Sequence, residues 1–184
     1  MADIALIVID VQEGFDDPSW GDSSNPGAEQ SIERLTLEWE NRGWPLVVVR
    51  HDSVETASPL RPDRPGNALK PFLTGKGDLT VSKNVHSAFH GDPDLHGWLK
   101  QQGVNEVAIV GITTNHCCET TARVACDLGY AVTFIWDATR TFDRNAPDGT
   151  VIPADQLMLI TRTNLAGEFA EVVDTETFLT ALGS

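Results

Sequence analysis

The chain has 184 residues, 41% of them hydrophobic, and a formal net charge of −14 at pH 7. That length suits one domain, 1–184, with a sizeable core. The lack of any lysine or arginine cluster argues against nucleic acid and against an anionic membrane as partners, and no apolar run approaches the length of a transmembrane helix.

Ile4 to Ile9 is a continuous apolar run, the pattern of a strand covered on both faces. Because it carries acids at its ends and no basic region, it reads as a strand and not as a signal peptide. It ends in Asp10-Val11-Gln12, and a turn-rich loop holding Phe15 and Trp20 follows. Ala28, Ile32, Leu35 and Trp39 recur at helical spacing up to Gly43. Pro45–Val49 is a second buried strand, ending at Arg50-His51-Asp52. Residues 53–77 are irregular and proline-rich, with a short helix expected near Ala68–Leu73.

Leu79-Thr80-Val81 is a third strand, leading to Ser82-Lys83-Asn84-Val85-His86-Ser87-Ala88-Phe89. Asp92-Pro93 reads as an N-cap and a first-turn proline, opening a helix with Leu95, Trp98 and Leu99 inward. Glu106–Val110 is a fourth strand. The helix after it turns Cys118, Thr121, Ala122, Ala125 and Leu128 inward and closes at Gly129. Ala131–Trp136 is a fifth strand, and Trp136 is expected in the core. A helix opened by Pro153 carries Leu157, Ile160 and Leu165. Phe169–Val173 is a sixth strand, and Asp174 caps a last helix.

Strand alternates with helix throughout, the signature of a parallel sheet with helices on both faces. Ligands in such folds bind at the carboxyl ends of the strands, where strand order reverses. Asp10, His51, Lys83, Cys117 and Asp137 all fall just past expected strand ends.

The cysteines are Cys117, Cys118 and Cys126, an odd number confined to one segment. No disulfide framework is expected, and a reducing, cytoplasmic compartment fits. Cys117 falls on the first turn of a helix, where unpaired N–H groups and the helix dipole favour a thiolate. Packing of small buried residues at the strand–helix junction is the alternative reading. Asp10 and Lys83 complete a chemistry: a carboxylate to take the thiol proton and an ammonium to stabilise both anions. Backbone N–H groups around Thr113 and Cys117 are candidate donors to an oxyanion.

Three separated motifs carry a resemblance. They are Ile9-Asp10-Val11-Gln12, Lys83-Asn84-Val85-His86-Ser87-Ala88-Phe89, and Gly111-Ile112-Thr113-Thr114-Asn115-His116-Cys117 followed by Thr121-Ala122. In this order they resemble the isochorismatase-like cysteine hydrolase superfamily, which includes nicotinamidases, N-carbamoylsarcosine amidases, biuret and ureidoacrylate hydrolases, and streptothricin hydrolase. The resemblance implies a three-layer α/β/α sandwich on a six-stranded parallel sheet of order 3-2-1-4-5-6. It implies an Asp10, Lys83, Cys117 triad, a cis peptide between Ile112 and Thr113, and an oxyanion hole from the Thr113 and Cys117 N–H groups. Motif register selects Cys117 over Cys118 as the nucleophile. The implied reaction is hydrolysis of a small-molecule amide, ureido or lactam C–N bond by water through a thioester. Vinyl-ether hydrolysis and a non-catalytic binding role are the alternatives, and the cysteine speaks against the first.

Candidate pocket residues are Phe15, Trp20, His51, Phe89, His116 and Phe142. Asn115 stands where an acid is common in the family. No cofactor is expected. Nicotinamidases hold a metal through Asp-x-His after the second strand, whereas this chain has Arg50-His51-Asp52, so a zinc ion would have to use His51, Asp52 and His86. The resemblance also implies a homo-oligomer, a dimer or tetramer.

Overall fold

A computed structural model describes residues 4–183. The expected acid-flanked lead into the first strand, Met1–Asp3, lies outside them. Six parallel strands build the sheet: β1 (Ile4–Ile9), β2 (Leu46–His51), β3 (Leu79–Lys83), β4 (Glu106–Ile112), β5 (Ala131–Arg140) and β6 (Glu171–Val173). Counted within this sheet, their order is β3-β2-β1-β4-β5-β6. The helices are α1 (Ala28–Arg42), α2 (Leu95–Gln101), α3 (Glu119–Asp127), α4 (Ala154–Leu165) and α5 (Thr175–Leu182). A small antiparallel ribbon, Arg144–Asn145 with Val151–Ile152, lies between β5 and α4.

The period-2 alternation of each strand splits the core in two. Ala5, Ile7, Ile9, Val49 and Ile109 face one way and meet Leu95, Leu99, Cys118, Ala122 and Ala125 from α2 and the segment around α3. Leu6, Val8, Val110 and Ile135 face the other way and meet Ile32, Leu35 and Trp39 of α1 and Phe178 of α5. The β1 side chains are almost wholly buried, each such aliphatic contributing roughly 1.5–3 kcal/mol. This dry centre fixes register: Ile9 lies between Val49 and Gly111, and His51 lies beside Lys83.

Several local expectations are corrected. The Asp92–Pro93 bond is cis, Asp92 pairs with Ser82, and the residue before α2 is Asp94, so Pro93 precedes the helix instead of opening it. Leu128 is the C-cap of α3 and 38% exposed. On α4 the inner positions are Ala154, Met158, Thr161 and Leu165, while Leu157 is half-buried and Ile160 exposed. The run Leu157-Met158-Leu159-Ile160 puts apolar residues on every face and hides the period. The Thr161 hydroxyl, donating to Glu119 Oε2 at 2.7 Å, belongs to the inward face. Two 3-10 turns, Pro65–Asn67 and Pro71–Leu73, replace the short helix expected at Ala68–Leu73. Trp136 is half-buried, with the Arg162 guanidinium 4.0 Å from its ring centroid.

At Gly111, φ is +135°. A Cβ there would lie 2.1 Å from Ile9 O and 2.7 Å from Ile9 N. No rotamer relieves a clash with backbone. Gly111→Ala is therefore expected to lower unfolding free energy by about 3 kcal/mol or more, measured by urea denaturation against wild type.

Candidate active site

The carboxyl ends of β1, β3 and β4 meet at one point. Asp10 leaves β1 with φ +54°, a left-handed step that aspartate tolerates better than most residues. Lys83 ends β3 with its side chain fully buried, and Cys117 lies in the π-helical turn Thr114–Cys118 that joins β4 to α3. Lys83 Nζ is 2.6 Å from Asp10 Oδ2, 3.2 Å from His51 Nδ1 and 3.4 Å from Cys117 Sγ. An ammonium has three donors, and here it has three acceptors. His51 therefore accepts at Nδ1 and carries its proton on Nε2. Burial and then the Lys83 charge hold its pKa below the usual imidazole value.

Burial alone would depress Lys83, but Asp10 and Cys117 outweigh it and hold the ammonium above the ordinary lysine range. The Cys117 thiol is pushed up to about 12, by burial first and then by the Asp10 charge, with Lys83 opposing. This corrects the expectation of a resting thiolate, which considered the helix end and not the buried carboxylate. Asp10 Oδ1 is buried with no hydrogen-bond partner among the described residues, which leaves that oxygen available to a proton.

The turn also shapes the backbone. The Thr113 carbonyl accepts from the N–H groups of His116 (3.3 Å) and Cys118 (3.2 Å), and the Cys117 N–H between them is not among its donors. The Ile112–Thr113 peptide is cis. π-Turns inside helices recur at functional sites because they change which amides point outward.

A cavity of about 420 Å³ opens on this cluster, with Asp10, His51, Thr113, His116 and Cys117 in its wall together with Phe15 and Trp20. Phe15, Trp20 and Phe142 stack on one another, with centroids 5.0–6.0 Å apart. Phe142 lines an adjoining cavity of about 320 Å³ and not the first. Phe89 stacks on Tyr130 at 5.8 Å and packs against the core, so it is not a pocket residue. Asp137 lies within β5 and accepts from the N–H and hydroxyl of Thr175, fastening α5 instead of serving the cluster. Asn115 accepts from the Thr141 hydroxyl.

The chain order alone did not single out Gln12, Asn67 or Arg144. Gln12 brackets the end of β2: its Nε2 donates to His51 O at 3.1 Å and its Oε1 accepts from His51 N at 2.8 Å. Its place two residues after Asp10 in the first motif was the available signal. Asn67 donates to Asp52 Oδ1 at 3.0 Å, and Arg50 pairs with the same carboxylate at 2.9 Å. Ligand atoms of Asp10, His51 and Cys117 do lie within 4.8 Å of one another. The Lys83 ammonium already bonds all three, so this group does not suit a divalent cation.

An isochorismatase-domain family model matches residues 4–177. YrdC of Bacillus subtilis, an uncharacterised isochorismatase family protein, is 34% identical over 94% of this chain and 92% of its own. Nicotinamidase 3 of Arabidopsis thaliana is 40% identical over 55% of this chain and 45% of its own. A crystal structure from Chromobacterium violaceum, described as an isochorismatase-family hydrolase, superposes with a TM-score of 0.92 at 38% identity, covering 99% of this chain and 95% of that one.

Three outcomes follow from the site. Lys83 lowers the Cys117 pKa, so Lys83→Met should raise it further and slow iodoacetamide alkylation of Cys117 at pH 8 by at least about tenfold. It should also cost about 3–5 kcal/mol in urea denaturation, because Asp10 is left buried and unpaired. His51 and His116 both have depressed pKa values in the fold. Their stabilisation is complete above the unfolded imidazole value of 6.5 and is lost as pH falls through the lower folded values. Thermal midpoints should decline below about pH 6.5, and the decline should be shallower in His51→Gln.

Proposed function

Since the chain belongs to the isochorismatase family of hydrolases, we propose that it hydrolyses a C–N bond of a small amide, ureido or lactam compound through a thioester on Cys117. The observation that carries this reading is the single buried ammonium of Lys83 in contact with both Asp10 Oδ2 and Cys117 Sγ. A relative named as a nicotinamidase supports the amide class.

The chemistry follows from the resting protonation state. A thiol with a pKa near 12 is protonated at neutral pH, so the nucleophile must be generated in the step that uses it. Asp10 takes the thiol proton as Cys117 Sγ attacks the carbonyl carbon. Lys83 offsets the negative charge shared between carboxylate and sulfur. The N–H groups of Thr113 and Cys117 donate to the oxyanion. As the C–N bond breaks, Asp10 returns the proton to the leaving nitrogen. Asp10 then takes a proton from water, hydroxide adds to the thioester, and collapse releases the acid and regenerates the thiol. No step calls for a metal, and the placing of Lys83 among the candidate ligands supports a metal-independent route.

Cys117→Ala should abolish hydrolysis of a substrate found by screening amides, ureas and lactams for amine or ammonia release, by at least about 10³-fold. A Cys117→Ala protein at full rate would sink the assignment. Asp10→Asn should lower kcat by about 10²- to 10⁴-fold while Cys117 remains present for alkylation.

A further inference from the structure

The chain has 27 acids and 13 lysines and arginines. Among the described residues, twelve of these thirteen cations have an ion pair, a hydrogen bond or an aromatic ring as a partner. Among these residues Arg144 has none, despite the chain's excess of acids. It also borders the cavities of the site. It stands exposed on the ribbon and lines both the cavity holding Cys117 and the adjoining one. The two cavities share Trp20, Thr113, His116 and Arg144. Thr113 is the residue whose N–H is assigned above to the oxyanion, so Arg144 borders the same wall as the reacting carbonyl.

A guanidinium is planar, permanently charged and built to take a carboxylate by two parallel hydrogen bonds. Left unpaired at a pocket, it is a recognition group without its partner. Building on the hydrolase reading, we propose that the substrate carries a carboxylate separate from the bond that is cut, and that Arg144 binds it. The aromatic Phe15, Trp20 and Phe142 stack then packs against the carbon skeleton between the two polar ends. The acids nearby do not pair with Arg144. Asp143 Oδ1 is engaged by the Ala154 N–H at 2.7 Å, and Glu55 shares the first cavity with Arg144 without an ion pair to it.

The test needs no substrate. Iodoacetate and iodoacetamide alkylate the same thiol and differ by a carboxylate against a neutral amide. Second-order rates at Cys117 are read by mass spectrometry of the Cys117 peptide in wild type, Arg144→Gln and Arg144→Lys. Arg144→Gln should slow iodoacetate at least fivefold and leave iodoacetamide within twofold, and Arg144→Lys should retain part of the preference. Unchanged rates for both reagents would overturn the proposal. So would equal losses for both, which mean that Arg144 only shapes the cavity, and so would a preference that follows Glu55→Gln instead. These rates do not depend on amide turnover. Full-rate hydrolysis in Cys117→Ala would remove the Cys117 thioester reading, whereas indifference to Arg144 would remove only the carboxylate.

Discussion

Everything at this site depends on one buried cation. Burying the Lys83 ammonium is costly unless every donor is satisfied and its charge is matched. Asp10 supplies the charge, and His51 Nδ1 and Cys117 Sγ supply the remaining acceptors. Those four groups come from four different strand ends or the turn beyond them. None can move independently, because displacing any of them strands a polar group in a dry place. The ammonium thus sets the tautomer of His51, the orientation of the carboxylate and the position of the sulfur.

The fold supplies the rigidity that this arrangement needs. Residues of β1, and of β4 after Glu106, are buried on both faces, so a one-residue slip would misplace every side chain. Gly111 lets β4 run close against Ile9, and the cis Ile112–Thr113 peptide and π-turn follow at once. Gln12 clamps the end of β2 through the His51 backbone. The special geometry is therefore concentrated within a few residues of the cluster, while the helices behind it are ordinary amphipathic packing.

The same contrast explains which readings of the chain succeeded. Asp10 and Cys117 follow long apolar runs that read as buried strands, and Lys83 ends the short third strand, so their common edge could be read from the alternation of strand and helix. Asp137 looked equivalent, but β5 runs on to Arg140 and places that carboxylate inside the strand, on Thr175. Phe89 belongs to a recognised motif, yet its ring turns to Tyr130. Ile160 lies in a run that is apolar on all sides, where spacing carries no direction. Arg144 gave no signal, since an exposed arginine in a turn-rich loop is ordinary until its neighbours are known.

The sequence by itself determined the alternation of buried strands and amphipathic helices, and with it the parallel sheet and the edge that bears the cluster. Hydrophobic period is a local property, and local properties are written along the chain. Tertiary structure alone decided the state of the thiol. From the sequence, a helix start and a lysine argued for thiolate; in the fold, burial and the facing carboxylate outweigh them and keep the proton on sulfur. Desolvation and charge pairing depend on what surrounds a group in space, and residues 10, 51, 83 and 117 become neighbours only when the sheet is assembled.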